Sequence, residues 1–182
     1  MTENGRILLI LDLDETLIHA TEQKLSTEPH FEYVEYFIYK RPMVDHFLLE
    51  MSHYFDLAVW SSAGDQYVND VVKLIKPNEI DFQFVWAQSK CTIRRDYELG
   101  NYVYEKRLKK VKKLGFRLEQ VLIVDDSPEK TRDNFGNAIY IQPFEGKHDD
   151  EELTVLSKYL KSIHQVNNVR AIEKRGWRDQ QA

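Results

Sequence analysis

The feature that most constrains this chain is the run Ile7-Leu8-Leu9-Ile10-Leu11, followed at once by Asp12-Leu13-Asp14. Five consecutive apolar residues bounded by charge suit a strand buried on both faces of a parallel sheet. The two carboxylates then sit where that strand emerges. In open α/β sheets the carboxyl ends of the strands are where ligands bind. Carboxylates this close repel each other, and a divalent cation is one way to offset the repulsion.

The same pattern recurs along the chain. Asp56 to Trp60 reads as a second buried strand, ending in Ser61-Ser62-Ala63-Gly64, and Val121 to Val124 as a third, ending in Asp125-Asp126. Between them, Val44, Phe47, Leu48, Met51 and Phe55 follow helical spacing after Pro42, which suits a first helical turn. Tyr67, Val68, Val71, Val72 and Ile75 mark a second helix that Pro77 stops. Strand, helix, strand, helix is the signature of a parallel sheet.

The remaining segments are less regular. Phe31 to Tyr39 is aromatic and β-branched and suits a strand or hairpin arm, serving either as a flap over the acidic loop or as a packed edge strand. Phe82 to Trp86 reads as a strand, and Thr92 to Tyr104 as a small β excursion with a turn at Leu99-Gly100. Leu108, Val111 and Leu114 predict a basic helix that Gly115 stops. Ser127 and Pro128 suit a helix cap and first position. Ala138 to Ile141 predicts a last strand, and Leu153, Leu156, Tyr159, Leu160 and Ile163 a final amphipathic helix. With no repeat or linker in sight, residues 1–166 read as one domain. The tail, 167–182, is polar except for Val169, Ile172 and Trp177 and is expected to pack on that domain.

The totals bound what such a chain does. Its 182 residues suffice for one well-buried core. A net charge of −5 argues against general nucleic-acid binding, which needs a basic footprint. Cys91 is the sole cysteine, so no disulfide forms within the chain, in keeping with a reducing compartment. No apolar stretch approaches the ~20 residues that span a membrane. The start of the chain lacks the basic region and cleavage site of a signal peptide. The expected location is cytoplasmic, with no membrane contact.

Three buried strands thus end in Asp12 and Asp14, in Ser61, and in Asp125 with Asp126. Helix capping explains one such ending but is a poor account of three on one sheet edge. An oxygen-rich, cysteine-free site suits a hard cation such as Mg2+, which is commonly shared with substrate phosphates. A phosphoryl group also calls for a lysine or arginine as counter-charge and for hydroxyl donors. A carboxylate can itself be the nucleophile, forming an aspartyl phosphate. Asp12 would attack phosphorus, while Asp14 would protonate the leaving oxygen and later activate water.

At this point the motifs resemble a known family. Asp12-Leu13-Asp14-Glu15-Thr16-Leu17 is similar to the DxDxT signature of haloacid-dehalogenase (HAD) superfamily phosphatases. With His19, Lys40-Arg41-Pro42, Gly100-Asn101-Tyr102-Val103 and Val124-Asp125-Asp126-Ser127-Pro128, it resembles the FCP/SCP, or NIF-like, branch that holds RNA polymerase II C-terminal-domain phosphatases. The resemblance runs from Ile7 to Ile163. It implies a HAD-type Rossmann-like, doubly wound parallel α/β sheet with a small β flap and a minimal cap.

The resemblance also implies roles. Asp12 is the nucleophile and a magnesium ligand, and Asp14 is the acid/base, binding magnesium through its backbone carbonyl. Asp126 is a metal ligand, with Asp125 beside it orienting the lysine or a metal-bound water. Ser61, where relatives carry threonine, binds phosphate, and Thr16 supports the first loop. Residues 106–113 hold six basic side chains among which composition does not choose; the family lysine, at the helix start after the Gly-Asn-Tyr-Val strand, points to Lys106 ahead of its neighbours, although the family's Val-Lys-Asp-Leu reads Val103-Tyr104-Glu105-Lys106-Arg107-Leu108 here. Arg41 suits anchoring the flap ahead of approaching the phosphate, and His19 suits local packing or a local hydrogen bond. Arg170, Lys174, Arg175 and Arg178 around Trp177 suit either a solvated tail or an anion clamp.

The leading reading is a Mg2+-dependent phosphatase acting on phosphoserine or phosphothreonine in proteins, or on another macromolecular phosphate. A small phosphate ester is the alternative substrate. Two other readings are a non-catalytic interaction module on the same fold and a receiver-like phosphoacceptor domain. Receivers, however, lack the second aspartate that drives hydrolysis.

Overall fold

The computed structural model describes residues 5–95, 100–134 and 136–181. The apolar runs form strands that lie side by side, as their patterning requires. Strand β1 (Leu8–Leu11) opens the core. β2 (Ile18–Thr21), β3 (Phe31–Tyr33) and β4 (Tyr36–Lys40) follow, then helix α1 (Val44–Tyr54), strand β5 (Asp56–Trp60) and helix α2 (Asp65–Ile75). Next come β6 (Val85–Trp86), β7 (Thr92–Arg95), β8 (Tyr102–Glu105), β9 (Val121–Asp125), α3 (Pro128–Thr131), β10 (Ala138–Tyr140) and α4 (Glu152–Ile163).

Five strands build one parallel sheet in the order β10-β9-β1-β5-β6. β1 lies at its centre, with Leu11 in register with Val59 on one side and Val124 on the other. Side chains alternate between faces along each strand. Leu9, Leu11, Val59 and Val124 therefore join one apolar cluster with α1, α2 and α4, while Leu8, Ile10, Trp60 and Ile123 join a second on the opposite face. The central strands are buried on both sides, as their unbroken hydrophobicity predicts.

Two small antiparallel sheets flank this core. β2, β4 and β3 form a three-stranded sheet beside the loop that follows β1, and β7 pairs with β8. The segment from Phe31 to Tyr39 is thus a hairpin, turning at Val34, which has positive φ and is exposed. Of the β excursion between Thr92 and Tyr104, the turn at Leu99 lies outside the described residues.

Four expectations are corrected. The basic helix is a 3-10 helix, Leu108–Leu114, ended by Gly115 at φ 95°. Its apolar residues recur every three positions, which matches three residues per turn better than 3.6. Four lysines packed into that span also disfavour an α-helix through i,i+4 repulsion. Leu114 is 52% exposed, so only Leu108 and Val111 anchor it. Second, the strand predicted from Phe82 is β-paired only at Val85–Trp86, as befits a short edge strand. Third, Pro42 precedes α1 instead of opening it; Met43, at φ 65°, takes the N-cap. Fourth, Ser127 sits at the N-cap of α3 but makes no side-chain cap bond.

The tail closes the sheet edge. Trp177 is buried, donates from Nε1 to the Tyr140 carbonyl at 2.9 Å and lies against Tyr159, with ring centroids 5.6 Å apart. The indole thus occupies a carbonyl of edge strand β10. Arg178 stacks over the same ring at 4.4 Å and pairs with Glu152, Arg175 pairs with Glu173, and Lys174 donates to the Val169 and Ile172 carbonyls.

Candidate active site

The carboxyl ends of β1, β5 and β9 meet at one edge because the three strands are parallel and adjacent. Asp12 is held there by its own backbone: its N–H donates to the Val124 carbonyl at 3.0 Å, continuing the β1–β9 ladder by one residue. Its side chain is buried and meets two donors. Lys106 Nζ lies 2.5 Å from Oδ1, and Thr16 Oγ1 donates to Oδ2 at 3.3 Å. Thr16 returns to Asp12 because the chain makes a tight turn after Leu13, with Leu17 N–H bonded to the Leu13 carbonyl and Glu15 at φ 60°.

Lys106 follows β8 directly and precedes the 3-10 helix. Its backbone N–H donates to the Lys130 carbonyl at 2.7 Å, and its carbonyl accepts from Asn134 Nδ2 at 2.9 Å. These bonds point the side chain inward, where Nζ also contacts Asp125 Oδ2 at 2.6 Å. Lys106 is therefore shared between Asp12 and Asp125, and all three are buried. Burial alone would discharge the lysine. The two carboxylates outweigh that cost and hold its pKa above the usual lysine value.

One lysine does not balance this group. Burial pushes Asp125 well above the usual carboxylate range in spite of Lys106, and Asp12 pushes it further. Asp12, Asp125 and Asp126 bring carboxylate oxygens within 4.8 Å of one another. With all three ionised, one ammonium leaves two negative charges, the deficit a divalent cation fills. The all-oxygen donor set suits a hard ion.

Asp14 faces a different environment. Ser61 Oγ donates to its Oδ2 at 3.2 Å and Tyr67 OH to its Oδ1 at 2.5 Å. Burial raises the Asp14 pKa and the nearby Asp12 charge adds to that, while the two hydroxyl donors pull against it. Ser61 is itself oriented by the Ala63 N–H, which donates to its Oγ at 3.0 Å. Tyr67, on the first turns of α2, meets Tyr33 and Tyr36 edge-on at 5.7 and 6.0 Å. The β3–β4 hairpin thus reaches the site and walls an open groove of about 450 Å³ beside Asp14.

The residues named from sequence all gather here: Asp12, Asp14, Thr16, Ser61, Lys106, Asp125 and Asp126. Asp125 also orders the next loop, accepting from the Ser127 N–H at 2.9 Å, and Ser127 Oγ donates to Asp126 at 3.0 Å. The serine fixes a carboxylate instead of capping the helix. Arg41 does not enter the site. It is buried, pairs with Asp150 at 2.7 Å through both Nε and Nη2, and donates to the Thr16 and Gln142 carbonyls. That clamps the loop after Asp14 to the segment before α4. His19 bonds Glu15 at 2.8 Å. Two contributors escaped the sequence reading. Tyr67 lies on the apolar stripe of α2 and reads as core. Asn134 sits in a polar stretch with no motif of its own.

Several known proteins are similar to this chain. The family model described as "NLI interacting factor-like phosphatase" matches residues 7–170. A Dictyostelium discoideum protein named CTD small phosphatase-like protein 2 is 32% identical over 173 residues, covering 91% of this chain and 29% of the relative. CTD nuclear envelope phosphatase 1 of Xenopus laevis is 29% identical over 187 residues, covering 94% of this chain and 73% of the relative. The chain spans less than a third of the Dictyostelium relative and 40% of a Saccharomyces cerevisiae one, nuclear envelope morphology protein 1. The solved structure of Fcp1, described as an essential RNA polymerase II CTD phosphatase, shares the fold with a TM-score of 0.60 at 21% identity, over 86% of this chain and 47% of that one. From the family match across most of its length, the chain belongs to the NLI interacting factor-like phosphatases.

Proposed function

We propose that this chain is a Mg2+-dependent phosphatase that hydrolyses a phosphomonoester through an aspartyl phosphate on Asp12. The observation that carries the reading is Lys106 Nζ bridging Asp12 and Asp125 at 2.5 and 2.6 Å, with a second carboxylate, Asp14, two residues from the first and bonded instead by Ser61 and Tyr67. Two carboxylates in contrasting environments are the arrangement that divides nucleophile from acid.

The roles follow from the environments. Asp12, paired with Lys106, attacks phosphorus, forming one O–P bond as the ester P–O bond breaks. Asp14, whose raised pKa favours the protonated form, gives its proton to the departing oxygen. It then takes a proton from the water that attacks the aspartyl phosphate, which releases inorganic phosphate and frees Asp12. Ser61 and Lys106 bind the phosphoryl oxygens, and Thr16 steadies Asp12. Asp12 and Asp126, with the Asp14 carbonyl, would hold Mg2+, and Asp125 would orient the lysine. When bound, the ion neutralises charge that would otherwise repel the phosphate.

The substrate we favour is phosphoserine or phosphothreonine in a protein. Support comes from relatives named CTD phosphatases and from an open groove walled by the tyrosines of the β3–β4 hairpin. Among the described residues no helix is long and apolar enough to cross a membrane. In the test, Asp12→Asn abolishes hydrolysis of an aryl phosphate with the fold intact by circular dichroism, and EDTA silences the wild type until Mg2+ is restored. Full activity in the variant removes the reading.

A further inference from the structure

Three guanidinium groups converge on one buried carboxylate next to Lys106. Glu105 is 2% exposed. Arg94 Nη1 donates to its Oε1 at 3.2 Å, Arg107 Nε to its Oε2 at 2.8 Å, and Arg132 Nε lies 3.9 Å from Oε1. The three arginines come from three places: β7, the residue after Lys106, and the 3-10 turn Arg132–Asn134. Asp133, 3.3 Å from Arg107, supplies a second carboxylate. Three positive charges therefore meet two negative ones.

One arginine satisfies a carboxylate bidentately, so Glu105 does not need three. Grouping like charges costs repulsion that a structural brace would avoid. The arginine side chains also keep 33%, 28% and 47% of their surface in solvent. The Arg132 guanidinium makes no hydrogen bond among the described residues. The surroundings reinforce the imbalance. Residues 88–117 hold ten Lys and Arg against three Asp and Glu, while the rest of the chain holds 15 against 27. Lys109, Lys112 and Lys113 on the adjoining 3-10 helix are exposed and carry no ion pair among the described residues.

Position links this cluster to the reaction. Glu105 and Lys106 are consecutive, and consecutive side chains of an extended segment point to opposite sides. Lys106 enters the site while Glu105 gathers the arginines on its outer flank. Two side-chain lengths and one backbone step separate the centres by roughly 10 Å, about three residues of extended peptide at 3.3 Å each.

We propose that Arg94, Arg107 and Arg132 form a docking site for a second phosphate on the same polypeptide, near the phosphate being hydrolysed. The proposal rests on the phosphatase reading above. Glu105 holds the arginine planes in place, and their free edges match a phosphate dianion, which planar guanidinium groups bind bidentately. The site thereby favours multiply phosphorylated protein segments over singly phosphorylated ones.

The test uses the full chain with Mg2+ and synthetic peptides carrying one phosphoserine, with serine or a second phosphoserine three residues to either side. Wild type should turn over one bisphosphorylated peptide about tenfold more efficiently, through KM, the size of one charge-assisted hydrogen bond. Arg132→Gln, and separately Arg94→Gln, should erase that preference and leave aryl phosphate turnover unchanged. Equal turnover of all peptides by wild type overturns the proposal. So does a preference that survives both variants, whether or not they melt lower, since the arginines then only brace Glu105. If wild type hydrolyses nothing, the phosphatase reading fails, and fluorescence polarisation still tests docking. There, Arg-dependent, about tenfold tighter binding of the bisphosphorylated peptide supports the site and equal binding refutes it. Arg132-dependent sedimentation with anionic phospholipid vesicles, without peptide discrimination, transfers the site to a lipid headgroup and overturns the peptide proposal.

Discussion

Replacing Lys106 with methionine keeps most of the apolar stem and removes the charge that Asp12 and Asp125 share at 2.5 and 2.6 Å. All three groups are buried, so the change leaves two carboxylates without a counter-charge in a low-dielectric setting. Breaking a buried pair in this way costs about 3–5 kcal/mol. In a domain of this size each kcal/mol lowers the melting temperature by about 2–4 °C, so the fall should be roughly 6–20 °C. The lysine's folded pKa lies above its unfolded value of 10.5. Its stabilisation is therefore complete below the ordinary lysine range and lost only as pH rises through the raised folded value. At neutral pH the full effect is present. In the variant, protonating the orphaned carboxylates relieves the penalty, so the deficit should shrink as pH falls from about 8 to about 5. Added Mg2+ should rescue the variant more than the wild type, because the ion supplies the missing charge. Differential scanning fluorimetry at both pH values, with EDTA or Mg2+, reads all of this. A melting shift under about 2 °C, or a deficit indifferent to pH and Mg2+, refutes the reasoning.

Three further outcomes follow from the same geometry. Asp14→Asn should raise the metal-free melting temperature at neutral pH by roughly 2–4 °C, the effect of about 1 kcal/mol. Because the Asp14 folded pKa lies above the unfolded 3.8, its ionisation costs stability as pH rises through that range, and the gain should vanish near pH 3; thermal scans in EDTA that show destabilisation at neutral pH contradict it. Tyr67→Phe removes a donor 2.5 Å from Asp14, so it should slow alkyl phosphates, which need the acid, by about tenfold or more and activated aryl phosphates much less. Equal losses on both classes in steady-state kinetics would show that Tyr67 does not position the acid. Trp177→Ala empties a buried site against Tyr159 and frees the Tyr140 carbonyl, and should cost about 3–5 kcal/mol in urea unfolding; a change below about 1 kcal/mol would mean that the tail is dispensable.

Much of this arrangement is legible from residue order because of how parallel sheets are built. Ile7–Leu11, Leu57–Trp60 and Val121–Val124 are apolar without alternation, the pattern of short strands buried on both faces. Once they are adjacent and parallel, Asp12, Ser61 and Asp125 must share an edge. What the sequence hides is set by tertiary choice. Leu108, Val111 and Leu114 fit a helix of either pitch, and packing against the sheet with two of the three decided for the 3-10 form. Ser127 has the right type and place for a cap, yet Asp126 offered its hydroxyl a better partner. Tyr67 has an apolar ring that obeys the core pattern of α2, and nothing in its spacing reveals where the hydroxyl ends. The convergence of Arg94, Arg107 and Arg132 on Glu105 joins residues spread over almost 40 positions, beyond the reach of any local pattern.

The central claim is that Asp12 carries the phosphoryl group. The direct measurement is acid quench of wild-type protein during turnover of an aryl phosphate with Mg2+, followed by peptide mass spectrometry. The account predicts a phosphoryl group on the peptide containing Asp12, located at Asp12 by fragmentation and absent from Asp12→Asn. A phosphoryl group on another residue, or active turnover by Asp12→Asn, would contradict it.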